Sequence, residues 1–190
     1  LSNHYPSGYQ KSLQVYYVDK SRLCEDSVYR KQLKQLLLQN SSWPGMETKI
    51  DQNPQEPQML LIRVFQQNLP VAMVYVRNSG TEDKLGLYLR GSSNLAKKLE
   101  SLAENVYSYL MISFKNKKSL MARAEKSILL SLINDTGVNI ELIEPEFEKV
   151  PLDRLINEMS SRQKLIEKVK GFWRITDLGR TLVNHYVHSE

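Results

Sequence analysis

The chain has 190 residues, of which 41% are hydrophobic and 25% charged, a composition that admits one medium domain or two small ones. No apolar run approaches the roughly eighteen residues of a membrane span. The start, Leu1-Ser-Asn-His-Tyr-Pro, has neither the charged nor the apolar region of a signal peptide, so a cytoplasmic protein without a membrane partner is expected. A single cysteine, Cys24, excludes an internal disulfide and suits a reducing compartment. Because the first residue is leucine rather than methionine, the chain is expected to be a piece of something longer.

The formal charge of +5 is unevenly placed. Residues 1–118 hold 16 Lys/Arg against 10 Asp/Glu, whereas residues 119–190 hold 10 against 11. A mild, scattered excess in the first part points to solubility or to an anionic metabolite before it points to a nucleic-acid face.

In chain order, "SLQVYYVD", Ser12–Asp19, is rich in β-branched and aromatic residues and predicts a first strand. "CEDSVYRKQLKQLLLQN" sets Val28, Leu33, Leu36 and Leu37 at helical spacing, with acids preceding bases as the helix dipole favours. "SSWPGMETKIDQNPQEPQ" is turn-rich and predicts only a short strand from Met46 to Ile50, with Trp43 packed under its loop. Three strands follow, Met59–Phe65, Val71–Val76 and Leu85–Leu89, as an antiparallel meander. "SSNLAKKLESLAENVYSYLMISFKN" opens on Ser/Asn cap candidates and places Leu95, Leu99, Leu102, Val106 and Leu110 on one stripe of a long helix. This order predicts an α+β domain, an antiparallel sheet with helices on one face. "FKNKKS", Phe114–Ser119, is basic and hydrophilic, and a boundary is placed near residue 118, giving domains 1–118 and 119–190. Beyond it, "LMARAEKSILLSLIND" is a helix ending at Asn134-Asp-Thr-Gly, "GVNIELIEPEFEKV" is ambiguous, and "PLDRLINEMSSRQ" starts a helix on proline. "LIEKV-KG-FWRIT" is a hairpin, and "DLGRTLVNHYV" is a closing helix with Asp177 near its cap.

The chemistry concentrates in "RNSGTE", Arg77–Glu82. Arg77 offers a planar fork matched to phosphate or carboxylate; Ser79 and Thr81 supply hydroxyls; Gly80 lets successive amides turn toward one anion. The same residues also make an ordinary turn, with Gly80 at positive φ, Ser79 and Thr81 bonding locally and Arg77 as a solvated strand end.

"VRNSGTEDKLGLYLRG", Val76–Gly91, resembles the signature loop of the C-terminal domain of the α-D-phosphohexomutases (the phosphomannomutase and phosphoglucomutase superfamily), whose pattern is Arg-Pro-Ser-Gly-Thr-Glu-Pro followed by a strand. The resemblance spans about residues 1–115. It implies a TATA-binding-protein-like α+β fold and a loop that holds the non-transferred phosphate of a hexose phosphate. On this sequence that assigns phosphate binding to Arg77, Asn78, Ser79, Gly80 and Thr81, with Glu82 in a structural role. Asn78 stands where the family has proline, and Asp83 replaces its second proline, setting a charge that opposes a dianion. Gly86 stands where an arginine is common and Arg90 where an acid is common. The family's phosphoserine, Mg²⁺-binding aspartate cluster and sugar-reading loop belong to other domains. No catalytic residue is therefore assigned here, no metal ligand and no cofactor, with Mg²⁺ expected only in upstream mutase domains of the same polypeptide.

His4, His185 and His188 have no partnering ligand motif, Cys24 sits beside Glu25 and Asp26, and Glu146 and Glu148 lie in a solvated stretch; none is assigned a chemical role. "LIEKVKGFWRITDLGRTLV" resembles the wing and following helix of winged-helix domains, which implies a preceding helix, here Leu152–Gln163, able to enter a groove. Arg162, Lys168, Lys170 and Arg174 are its candidate nucleic-acid or partner contacts. Because the helix carries Asp153 and Glu158 against Arg154, protein contact or homo-oligomer assembly is expected ahead of nucleic acid. The leading expectation is thus the C-terminal part of a phosphohexomutase-like isomerase, gripping substrate without performing the phosphotransfer. The alternative is a regulatory or nucleic-acid/protein-binding module that uses the winged helix beside a borrowed mutase domain.

Overall fold

A computed structural model of the protein describes residues 8–133 and 149–188. His4, Glu146, Glu148, the Asn134-Asp-Thr-Gly helix end and most of the ambiguous segment after it lie outside the described residues. The chain forms two compact units, Leu1–Phe114 and Lys115–Glu190, so the division falls slightly ahead of the expected residue 118. The reason lies in two adjacent side chains: the Phe114 ring meets Tyr29 and Tyr109 of the first unit, whereas Lys115 is buried among polar groups of the second.

The first unit is mixed α+β. Its strands are β1 (Tyr9–Tyr16), β2 (Glu47–Asp51), β3 (Leu60–Gln66), β4 (Leu69–Asn78) and β5 (Lys84–Gly91), with helices α1 (Val28–Ser41) and α2 (Ala96–Phe114). The five strands form one antiparallel sheet in the order β1-β5-β4-β3-β2. Cross-strand pairs Val15–Leu85, Leu87–Val76, Val76–Leu60, Leu89–Val74 and Val74–Ile62 are all buried. They form the apolar face on which α2 packs over β1 and β5, while α1 packs on α2 and β3. The α2 stripe is deeper than expected, running Leu99, Leu102, Ala103, Val106, Tyr107, Leu110, Met111, Phe114. Strand alternation sends the intervening residues to the opposite face: Gln14, Gly86 and Arg77 in one cross-strand row, Ser12, Tyr88 and Tyr75 in the next.

Caps explain the helix starts. The Ser27 hydroxyl accepts the Tyr29 amide at 3.2 Å and starts α1. The Ser/Asn candidates before α2 act differently: Ser93–Leu95 form a 3₁₀ turn, and Ser92 at its start makes no side-chain cap bond. Trp43 is half-buried with the Lys98 ammonium 5.6 Å from its ring centroid.

The second unit holds α3 (Leu120–Ile133), α4 (Leu152–Asn157), a hairpin of β6 (Ile166–Val169) and β7 (Phe172–Ile175), and α5 (Asp177–His188). The expected continuous helix to Gln163 is instead α4 followed by a π turn, Glu158–Arg162. The hairpin turn places Lys170 at φ 50° and Gly171 at φ 88°, the paired left-handed conformations that a two-residue turn between twisted strands requires. Thr176 caps α5, its hydroxyl accepting the Gly179 amide at 3.2 Å, and Asp177, expected near the cap, is the first residue of the helix.

A polar cluster sits inside this unit. Lys115, Glu125 and Gln163 are each 0% exposed. The Lys115 ammonium lies 2.7 Å from Glu125 Oε1 and donates to Glu125 Oε2 at 2.9 Å and to Gln163 Oε1 at 2.6 Å. Gln163 Nε2 donates to Glu125 Oε2 at 2.7 Å and closes the triangle. Burial pulls Lys115 below the usual lysine pKa, opposed by Glu125. Such a group is far costlier to break than to replace whole. Lys115→Met should therefore lower the stability of this unit by about 3–5 kcal/mol in denaturant titration followed through Trp173. The triple change Lys115→Met, Glu125→Leu, Gln163→Leu should recover most of that loss.

Candidate functional site: an anion cleft at the β4–β5 turn

Strand β4 runs through Asn78, so Arg77 and Asn78 are strand residues and the loop proper is residues 79–83. The Arg77–Gly86 and Asn78–Leu85 pairs set its base. Inside the loop the Ser79 amide donates to Lys84 O and the Lys84 amide to Glu82 O, each at 2.9 Å, and the Glu82 amide donates to the Ser79 hydroxyl at 3.3 Å. Among the described residues, no hydrogen-bond acceptor is recorded for the Gly80 or Thr81 amide. Gly80 does not take the positive φ expected of a simple turn, and a Cβ placed on it would meet nothing within 4 Å. Neither local strain nor packing calls for glycine at this position.

A cleft of about 480 Å³ opens here, lined by Arg77, Asn78, Ser79, Gly80 and Lys84, with Gly86 and Tyr88 from β5, Gln14 from β1, and Glu56. The structure thus gathers four of the five expected phosphate-binding residues and leaves out Thr81, which is exposed. Glu82 also stays outside the lining and pairs with Lys84. Asp83, expected to oppose an anion, is 77% exposed and faces Lys20 at 3.6 Å. The acid that does face the cleft is Glu56, whose Oε1 lies 3.5 Å from Arg77 Nη1.

Both cations are held in the charged state. The Tyr88 hydroxyl, then Glu56 and Tyr75, keeps the Arg77 guanidinium above its ordinary pKa against partial burial. The Glu82 carboxylate, with Tyr16 and Tyr88, does the same for Lys84. The Arg77 guanidinium carbon lies 5.6 Å from the Tyr88 ring centroid, and Tyr88 stacks on Tyr75 at 4.7 Å with planes 13° apart. Gly86 makes room for this arrangement, since a Cβ there would come within 2.4 Å of the Tyr88 ring. An arginine at 86 would collide with that ring, so Gly86 and Tyr88 belong together.

Glu56 arrives from the proline-rich segment between β2 and β3. The Asn53 side chain accepts the Gln55 amide at 3.0 Å, and the Glu56 amide donates to Asn53 O at 3.0 Å. From α1, the Arg30 guanidinium spans the carbonyls of Leu23, Pro57, Gln58 and Met59. Gln58 in turn accepts Asn78 Nδ2 at 2.9 Å. Gln14, Glu56, Lys84 and Tyr88 carried no local signal as site residues, because a half-polar strand residue looks the same beside a cleft as beside water.

In the second unit the expected basic contacts do not share a surface. The register pairs Lys168 with Trp173 on one face of the hairpin and Arg174 with Glu167 on the other, while Lys170 sits in the turn. Lys168, its ammonium 5.5 Å from the Trp173 ring centroid, lines a shallow cleft with Ser160, Ser161, Lys164 and Thr176; Arg162, Lys170 and Arg174 do not line it. Among the described residues no group of three or more His, Cys, Asp or Glu side chains is placed to hold a metal ion, and no helix is long and apolar enough to cross a membrane.

Comparison with known proteins finds no match to this chain, whether among protein-family models, curated sequences or solved structures.

Gly86→Ala should drive the Tyr88 ring off Tyr75, reducing the near-ultraviolet circular dichroism of the stacked tyrosines at a stability cost of about 0.5–1.5 kcal/mol. An unchanged spectrum would show that the ring does not depend on the open backbone beneath it.

Proposed function

We propose that the β4–β5 cleft binds the phosphate group of a phosphorylated hexose, and that the first unit acts as the C-terminal, substrate-gripping domain of a phosphohexomutase-like protein with a TATA-binding-protein-like fold. The observation that carries this reading is the convergence of Arg77, Ser79 and Lys84 on one cleft that Gly80 also lines, its amide donating to no acceptor among the described residues. A guanidinium fork, a hydroxyl and an ammonium suit a dianionic oxygen cluster, and the amides of a tight loop extend the same positive field. The cleft has room for much more than a phosphate, and Tyr88 and Gln14 offer a ring face and an amide to the rest of the ligand. The five-stranded antiparallel sheet with its two helices supports the α+β part of this reading. The chain supplies position and charge; phosphotransfer and its Mg²⁺ belong to upstream domains of the parent protein, where positioning of this kind lowers the entropic part of a barrier.

Inorganic phosphate and hexose 1- and 6-phosphates should bind the protein in titration calorimetry, and Arg77→Ala should weaken that binding about tenfold or more, the value of a charge-assisted hydrogen bond. Equal affinity in wild type and Arg77→Ala, or no binding by either, would sink the reading.

A second reading concerns the second unit, whose helix-helix-hairpin-helix order fits a winged-helix-like module. Phe172 at the hairpin tip is 71% exposed, and its strand alternates it with Trp173, so aromatic and basic groups mix on both faces. That pattern suits a protein partner or a second copy of the chain better than a phosphate backbone, which would need Lys168, Lys170 and Arg174 on one side. Phe172→Asp should reduce self-association in analytical ultracentrifugation, whereas a salt-dependent affinity for duplex DNA would favour the nucleic-acid version.

A further inference from the structure

We infer that Glu56 is an internal competitor for the cleft's anion: its carboxylate occupies the side of Arg77 that a phosphate would take, and ligand binding requires its displacement. The inference rests on the reading of this cleft as a phosphate site.

Three observations support it. Glu56 lines the same cleft as Arg77, Ser79 and Lys84, and its Oε1 stands 3.5 Å from Arg77 Nη1. Both side chains are close to half exposed, so the pair is weak enough to be exchanged for a doubly charged ligand. Its position is also built rather than incidental. The segment that carries it is tied by the Arg30 fork to the Pro57, Gln58 and Met59 carbonyls and by Gln58 to Asn78, at the edge of the phosphate loop. Burial lowers the Arg30 pKa, consistent with a guanidinium spent on carbonyls and drawn partly out of water.

The consequence is selectivity by charge. A monoanion can do little more than replace the carboxylate it removes, whereas a phosphate monoester in its dianionic form gains on both Arg77 and Lys84. Glu56 therefore sets a threshold that favours phosphate monoesters over carboxylates and other single anions, and it couples occupancy of the loop to movement at residues 55–58.

The test uses the full chain and inorganic phosphate, with acetate as the monoanion, in titration calorimetry. Glu56→Gln keeps the size of the side chain and removes the competing charge. It should tighten phosphate binding about two- to fivefold, the range set by an exposed ion pair, and should narrow the preference for phosphate over acetate. Glu47→Gln, an exposed acid on β2 outside the cleft, should leave both affinities unchanged, which separates local competition from a general change in field. In the Arg77→Ala background, Glu56→Gln should have no effect. If wild type binds phosphate and Glu56→Gln binds it equally or more weakly, Glu56 holds Arg77 in place instead, and the inference falls while the phosphate reading stands. If neither wild type nor Glu56→Gln binds phosphate, both fall together.

Discussion

The antiparallel register between β4 and β5 is the constraint on which the first unit depends. It sets Val74 against Leu89 and Val76 against Leu87 on the helix-covered face, and by the same alternation sets Tyr75 against Tyr88 and Arg77 against Gly86 on the other. A slip of β4 by one residue would carry the Arg77 guanidinium into the core and turn Val74 and Val76 out to water. The apolar pairs thus hold the polar ones in place without touching them. Burial of the leucine and valine rows against α1 and α2 supplies the driving force, and the cleft inherits its geometry.

The cleft itself is a compromise between attraction and restraint. Arg77 and Lys84 are cations whose charge is reinforced by the Tyr88 hydroxyl and the Glu82 carboxylate respectively, yet each already has an acid beside it. Left bare, two cations on a loop would repel each other and attract any anion. With Glu56 beside Arg77 and Glu82 beside Lys84, the two cations are each offset by a carboxylate. Gly86 enters through a different route, by yielding space to an aromatic ring that then takes part in holding Arg77.

The second unit is organised around the opposite choice, polar groups taken fully inside. Lys115, Glu125 and Gln163 are joined by mutual hydrogen bonds in the buried interior, an arrangement that costs the desolvation of two charges. Lys115 belongs to the basic run Phe114–Ser119, which in composition is a solvated linker. Its burial shows why a charge run is a poor guide to where one lysine of it ends up: the ammonium needs only one carboxylate and one amide, and these come from residues 125 and 163.

Much was legible in the amino-acid order alone. The strands of the meander, the amphipathic stripe of α2, the hairpin at Lys170-Gly171 and the mixed α+β character follow from side-chain period and turn chemistry, which are local properties, whereas of the stripe expected on α1 Leu33 and Leu37 are buried and Val28 is exposed. Arg77, Asn78, Ser79, Gly80 and Thr81 stand out as a group because they are contiguous, although Thr81 does not line the cleft. Strand ends, the π turn after α4 and the capping of α5 by Thr176 do not stand out, since they depend on which backbone bonds compete locally. What only the tertiary structure decided is the company those loop residues keep. Gln14 and Tyr88 reach the cleft through strand pairing and Lys84 through the turn, whereas Glu56 is brought from 21 positions away by a segment that Arg30 pins. The hairpin register places Lys168 and Arg174 on opposite faces, and Asp83 turns to Lys20. Periodicity determines which face a residue is on; only the folded sheet determines which residues, distant in sequence, share that face, because their meeting is stabilised by the core and not by any local preference of their own.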